Sequence, residues 1–257
     1  MTHPLPDAHC ASAPGQRARL RSGPPVALKE TCRVAAGSVP LWPYHRARLA
    51  SGGCSEALLA TVDARVAEAA AAWANALTRR ARLTVVVDPD GEIAVDIAQR
   101  LSSLDVIGGL VAVRVDVDEQ PPLPVNPAKP ADRSWWDAAQ RIAEKAGGHQ
   151  AVLVMRDGLV ADGSTSCIWI VEDGDLVTPP TPHAVPSVSR AFVRAVASSV
   201  GLRQRIEPIA WERFASAEEA FFSNAFGGVA PVRGRAGVVF SAVKGLFAEV
   251  WATTQDG

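Results

Sequence analysis

The chain has 257 residues, with 26 lysines and arginines against 27 aspartates and glutamates, for a formal net charge of -1 at pH 7. That length can bury one large core or two modest ones, and the balanced charge argues against a broad electrostatic footprint for nucleic acid or an anionic membrane. Cys10, Cys32, Cys54 and Cys167 lack the spacing of a zinc site or a disulfide framework. No apolar run has the length of a bilayer span, and the N-terminus lacks the sections of a secretory signal, so a soluble, cytoplasmic protein without a bound metal is expected.

Residues 1–25, rich in Pro, Ala, Ser, Gly and Arg, read as a flexible leader. A strand begins near Val26 and runs through Glu30-Thr31-Cys32-Arg33-Val34. After an Ala36-Gly37 turn come Ser38 to Trp42 and then His45-Arg46-Ala47-Arg48-Leu49. From Ser55 to Arg80, Leu59, Val62, Val66, Trp73 and Leu77 recur at helical spacing among alanines, which predicts a long amphipathic helix. Asp88-Pro89-Asp90-Gly91 marks a hairpin between Leu83–Val87 and Ile93–Ile97, and Val106–Val117 gives another apolar strand. Residues 26–118 are therefore expected to form a smaller N-terminal α+β domain.

The five prolines of 118–130 place an interdomain linker at 119–130, carrying Lys129. The larger C-terminal domain, 131–257, opens with a capping box at Ser134-Trp135-Trp136-Asp137 and a helix ending near Ala146-Gly147-Gly148. Asp157-Gly158 and Asp173-Gly174 hinge the apolar runs of 152–178 into antiparallel hairpins. A helix from Ser187 to Val200, a strand near Arg205–Ile209, a short helix from Ala210, a strand at Val229–Val232 and a final helix over Ser241–Thr253 follow. The class is α+β, with mostly antiparallel sheets and packed helices.

Lysine is scarce in this chain: Lys29, Lys129, Lys145 and Lys244 stand against 22 arginines. Lys129, between Pro127 and Pro130, is held in a loop ahead of a helix. Desolvated there, it becomes a free amine able to form a Schiff base with an aldehyde; its plain alternative is a solvated linker lysine. Asp162, among the small residues of Ala161-Asp162-Gly163-Ser164-Thr165-Ser166, is suited to hold a protonated heterocycle nitrogen or simply to serve a turn. Arg48, with the helix start at Ser187-Val188-Ser189, offers a guanidinium, hydroxyls and backbone amides to a phosphate. Ser223 and Asn224 read individually as loop hydrogen bonders. No Walker loop, GxSxG elbow, HExxH or dinucleotide fingerprint occurs in the required context. One lysine, one carboxylate and one phosphate cradle are the protein groups that pyridoxal 5'-phosphate (PLP) requires.

In this order the motifs resemble those of class IV, fold-type IV PLP enzymes, a family that includes branched-chain and D-amino-acid aminotransferases and 4-amino-4-deoxychorismate lyase. Glu30-Thr31-Cys32-Arg33 is similar to the family's ET-x-R strand, and His45-Arg46-Ala47-Arg48-Leu49 to its HxxRL motif. Leu176-Val177-Thr178-Pro179-Pro180 is similar to L-x-TPP, and Ser223-Asn224-Ala225 through Pro231-Val232 to the last cofactor-contacting segment. The resemblance implies a two-domain fold-type IV architecture and PLP as cofactor. Its implied catalytic residues are Lys129 and Asp162, with cofactor contacts from Arg48, Ser164, Thr165, Val188, Ser189, Asn224 and Ala225. It also implies a homodimer, a small-molecule amino substrate, and no nucleic-acid or membrane partner. Aspartate stands at 162 where the family has glutamate, Cys167 where it has asparagine, and Ser187 where it has glycine. The expected reaction is that of an aminodeoxychorismate lyase. A class IV aminotransferase is the first alternative, and a cofactor-free homologue, motivated by those three positions, is the second.

Overall fold

The computed structural model describes residues 23–74, 80–180 and 184–252. The expected leader over 1–22 and the end of the long helix at 75–79 lie outside the described residues. The first layer is an antiparallel sheet of β1 (Leu28–Ala35), β2 (Arg80–Val87) and β3 (Ile93–Ala98), in that order. Strand alternation buries Leu28, Cys32 and Val34 of β1 beside Ala81, Leu83, Val85 and Val87 of β2. Two helices, α1 (Trp42–Ser51) and α2 (Glu56–Ala71), connect β1 to β2. The periodic residues Leu59, Val62, Val66 and Ala70 of α2 seal that face, each large aliphatic side chain stabilising by about 1.5–3 kcal/mol on full burial. The helix α1, not foreseen as such, begins with Pro43 in its first turn, where a missing N–H costs nothing.

The second layer is β4 (Ala112–Val117), β5 (Gln150–Met155) and β6 (Val160–Gly163). Here β4, expected with the N-terminal residues, pairs in parallel with β5. The intervening helix α3 (Ser134–Lys145) supplies the crossover that a parallel pair requires. The expected capping box is also corrected: Arg133 is the N-cap and makes no side-chain cap, while the Ser134 N–H donates to Asp132 Oδ1 at 2.9 Å. Trp136, Ala139 and Ala143 of α3 pack on Ala151, Leu153 and Ala161.

A third sheet contains β7 (Cys167–Glu172), β8 (Asp175–Thr178), β9 (Gln204–Ile206), β10 (Glu219–Asn224) and β11 (Gly228–Pro231), in the order β11-β10-β7-β8-β9. The β7–β8 turn has Asp173 and Gly174 both at positive φ, 52° and 77°, the conformation the Asp-Gly pair was expected to supply. The crossover from β8 to its parallel partner β9 carries α4 (Val188–Val196), capped by Ser187 Oγ accepting the Arg190 N–H. The chain closes through α5 (Trp211–Ser216) and α6 (Val238–Ala252), the latter packing Phe240, Val243, Leu246 and Phe247 against the third sheet and α4.

The bend from β6 to β7 leaves no room for a side chain at Gly163: a Cβ there would lie 2.4 Å from the Ser166 carbonyl oxygen. Gly163→Ala is expected to destabilise the fold by about 1–3 kcal/mol through backbone displacement. Equilibrium urea unfolding checks this, and an unchanged midpoint would contradict it.

Candidate active site

Inward alternation on β1 places the Glu30 carboxylate beneath the first sheet at 1% exposure, where an unpaired charge is costly. His45 and Arg48, three residues apart on one face of α1, meet it. His45 Nδ1 lies 2.5 Å from Glu30 Oε2, Arg48 Nε donates to Oε1 at 2.8 Å, and Arg48 Nη2 donates to Oε2. Burial raises the Glu30 carboxyl, but Arg48 and His45 outweigh it and bring it down to about 2. Burial lowers His45 despite the carboxylate. The neutral ring then donates from Nδ1 and leaves Nε2 unpartnered, as found. Arg48 Nη1 also donates to the Pro186 carbonyl at 2.6 Å, tying α1 to the segment that opens α4.

The linker lysine is fixed by backbone pairing. The Lys29 N–H donates to the Lys129 carbonyl at 3.0 Å, the Ala131 N–H donates to the Ala27 carbonyl at 2.8 Å, and Leu28 bridges Pro130. Lys129 thus rides on the edge of β1, with Nζ donating to Thr31 Oγ1 at 3.2 Å. Burial, helped by the Arg48 and Arg133 cations, lowers its ammonium to about 7, so the solvated reading does not describe it. Asp162, on β6, is buried as well. Its Oδ1 accepts the Gly163 N–H and its Oδ2 the Val185 N–H, each at 3.0 Å. Burial raises its carboxyl to about 7 against the pull of those amides and of Arg190 and Arg133.

Arg48, Lys129 and Asp162 line one cleft of about 480 Å³. Of the other expected cofactor contacts, Ser164, Thr165, Val188, Asn224 and Ala225 also line it, whereas Ser189 does not. Ser189 is fully buried behind the wall, its hydroxyl hydrogen bonded with Ser187 Oγ at 2.8 Å and Ser223 Oγ at 2.9 Å. The Asn224 amide is committed to structure: Oδ1 accepts the Phe226 and Gly227 N–H groups, and Nδ2 reaches Thr165 O and Ser166 Oγ. Gln150 holds the 164–165 loop. With its amide assigned so that each atom meets a complementary group, its oxygen accepts the Ser164 and Thr165 N–H groups at 3.0 Å and its nitrogen donates to Thr165 Oγ1 at 2.8 Å. Cys167 packs with Trp169 in the core, and burial raises its thiol.

Sequence reasoning missed Arg133, Thr31, Lys29 and Arg82 on the lining. Arg133 stacks 3.9 Å over Trp136, donates to Ser164 O at 3.0 Å, and leaves Nη1 buried without a partner. An arginine at the start of a predicted helix gives no local signal of such a role. A second cavity of about 630 Å³ lies along 120–128 and α4, but no lysine, aspartate or glutamate lines it; the chemistry belongs to the first.

The lining fits PLP. A guanidinium has five N–H groups, and Arg48 commits three, leaving one on each terminal nitrogen for an anion. The Val188 amide, in the first turn of α4 on the lining, makes no hydrogen bond to a described residue. The Lys129 amine is desolvated, and each Asp162 oxygen keeps acceptor capacity beyond its single backbone donor.

The sequence profile of the amino-transferase class IV family matches residues 27–234. A curated branched-chain-amino-acid aminotransferase from Salmonella typhimurium is 28% identical over 97 residues, 37% of this chain and 31% of that protein. The chain's match thus spans about a third of the length of the curated relatives. A hypothetical aminotransferase from Mycobacterium tuberculosis, in its PLP-bound form, superposes with a TM-score of 0.75 at 19% identity and covers 90% of each chain. A protein named "Putative 4-amino-4-deoxychorismate lyase" superposes at 0.71 and 19% identity, with 96% of this chain and 98% of that one covered. The fold is that of the fold-type IV PLP enzymes, as the motifs implied.

Two predictions follow from the charges. Glu30 titrates at about 2 in the folded chain, below its ordinary 4.5, so its contribution is present above about pH 4.5 and is lost as pH falls towards 2. Glu30→Gln should cost about 3–5 kcal/mol at pH 7 by leaving Arg48 short of its counter-charge, and should flatten acid unfolding over that window, as read by circular dichroism. For Lys129, reductive methylation with formaldehyde, mapped by mass spectrometry, should inflect near pH 7; an inflection at the ordinary 10.5 would contradict its desolvation.

Proposed function

The chain belongs to the class IV amino-transferase family, and from that premise we propose that it is a PLP-dependent enzyme acting on an amino substrate in the cleft of Arg48, Lys129 and Asp162. The observation that carries this reading is the desolvated Lys129 amine sharing one cavity with a buried carboxylate and an arginine that has N–H groups to spare. When bound, PLP supplies an electron sink for the pair released as a bond at the substrate's amine-bearing carbon breaks.

The remaining steps belong to the protein. Lys129 would supply the amine that holds the cofactor, and its free base, available at neutral pH in an amine near 7, would take and return the proton at the reacting carbon. Asp162 would accept a hydrogen bond from the ring nitrogen and keep the proton there. A cation at that nitrogen favours the ionised carboxylate, opposing the burial that raises it. Arg48, itself oriented by Glu30, and the Val188 amide would hold the phosphate.

Among family reactions, the reading adopted is conversion of 4-amino-4-deoxychorismate to 4-aminobenzoate and pyruvate. The Ser223-Asn224-Ala225 segment and the likeness to the lyase-named structure support it. The likenesses to proteins named aminotransferases support amino transfer as the second reading. Supplied with aminodeoxychorismate, PLP and no oxo acid, the protein should release pyruvate and 4-aminobenzoate in equal amounts, and Lys129→Ala should slow release by about 10²–10⁴-fold. Turnover that requires an added oxo acid and yields its amino acid would assign the aminotransferase reaction instead.

A further inference from the structure

The helix α4 divides its side chains between two environments. Phe192 and Val193 pack into the core beside the third sheet. Ser187, Arg190, Ala191 and Arg194, at helical spacing, line the second cavity, of about 630 Å³. Arg190 is only 8% exposed. Its Nη1 donates to the Pro179 carbonyl at 2.8 Å, which leaves four of the five guanidinium N–H groups, and none of these meets an acceptor among the described residues. A buried charge is costly without a close counter-charge. Glu30 has one in Arg48, whereas Arg190 forms no ion pair among the described residues. Asp162 feels the Arg190 charge, but its two oxygens accept the Gly163 and Val185 amides.

The rest of the lining narrows the anion that would answer Arg190. Arg48 and Arg194 add positive charge, and no aspartate or glutamate lines the cavity. The other walls are largely apolar, with Tyr44 of α1 and Leu123, Pro124, Val125 and Pro127 of the linker. Val125 stands fully exposed, apolar surface that a ligand would remove from water. An inorganic anion would satisfy the guanidinium and leave that surface wet; a carboxylate on a flat apolar body meets both. The volume falls within the usual range of small-molecule sites, about 300–1,000 Å³.

We propose that this second cavity is a binding site for an aromatic monocarboxylate, with the carboxylate on the Arg190 guanidinium and the ring against the proline-rich linker. The site is distinct from the Lys129 cleft, sharing with it only the wall at Arg48, Ser187 and Val188, and it draws on none of the PLP chemistry.

Tyr44 is the single tyrosine of the chain and lines this cavity, so 3-fluorotyrosine places one fluorine resonance there. On the full chain incubated with PLP, benzoate should shift that resonance saturably. It should bind at least about tenfold more tightly than benzyl alcohol, which has the ring without the charge, or inorganic phosphate, which has charge without the ring. Arg190→Gln should weaken benzoate at least about tenfold. Ala191, exposed on α4, lines the second cavity and not the first. Ala191→Trp therefore fills the proposed site alone and should abolish the titration, which decides the matter even if Arg190→Gln fails to fold. No saturable shift, discrimination below about tenfold against either comparison compound, or a benzoate titration that persists in Ala191→Trp or in folded Arg190→Gln would overturn the proposal. The visible cofactor band of the same samples reports on the PLP reading separately.

Discussion

A carboxylate buried under a sheet is the constraint on which the site depends. Glu30 cannot remain ionised at 1% exposure without close counter-charge. Arg48 supplies it, the neutral His45 ring adds a hydrogen bond, and together they fix the rotation of α1 against β1. The same guanidinium then reaches the Pro186 carbonyl, so the first sheet and the segment that opens α4 are tied through one side chain. Lys129 belongs to this arrangement because its backbone pairs with Lys29 at the edge of β1. The Lys129 amine and the Arg48 guanidinium are thereby indexed to neighbouring parts of one strand.

The opposite wall is built on Asp162, whose carboxylate fastens Val185 to β6. Burial pushes Lys129 down and Asp162 up, each to about 7. Both displacements oppose stability at neutral pH, with opposite pH signatures. For Lys129 the folded value lies below 10.5, so its contribution to stability improves as pH rises from about 7 to 10.5. For Asp162 the folded value lies above 3.8, so its contribution declines as pH rises from 3.8 through about 7. Two groups strained towards neutrality in one cleft are what acid–base chemistry at neutral pH calls for.

Local chemistry made much of this legible in the sequence. Asp173-Gly174 announced its turn because few residues accept positive φ, whereas the helix that sets His45 and Arg48 on one face was not foreseen. Lys129, Asp162 and Arg48 were named from residue type and order, and the structure brings all three to one cleft. What stayed hidden depends on partners distant in the chain. Apolar alternation marked the region of β4 as a strand but carries no information on whether β3 or β5 lies beside it. Ser189 read as a phosphate ligand by its position after Ser187, yet the turn of α4 sends its hydroxyl to Ser223. Asn224 lines the cleft with its amide already spent on the β10–β11 turn. Lys29 and Arg82 look like ordinary strand cations until the β1–β2 register sets them on the same wall.

The central claim is that Lys129 is the carbonyl-binding amine of a cleft built for PLP. Its most direct test is to incubate the protein with PLP, reduce with borohydride, digest, and map the phosphopyridoxyl group by mass spectrometry. The account predicts stoichiometric modification confined to the peptide carrying Lys129. Modification spread over Lys29, Lys145 and Lys244, or none at all, would contradict it.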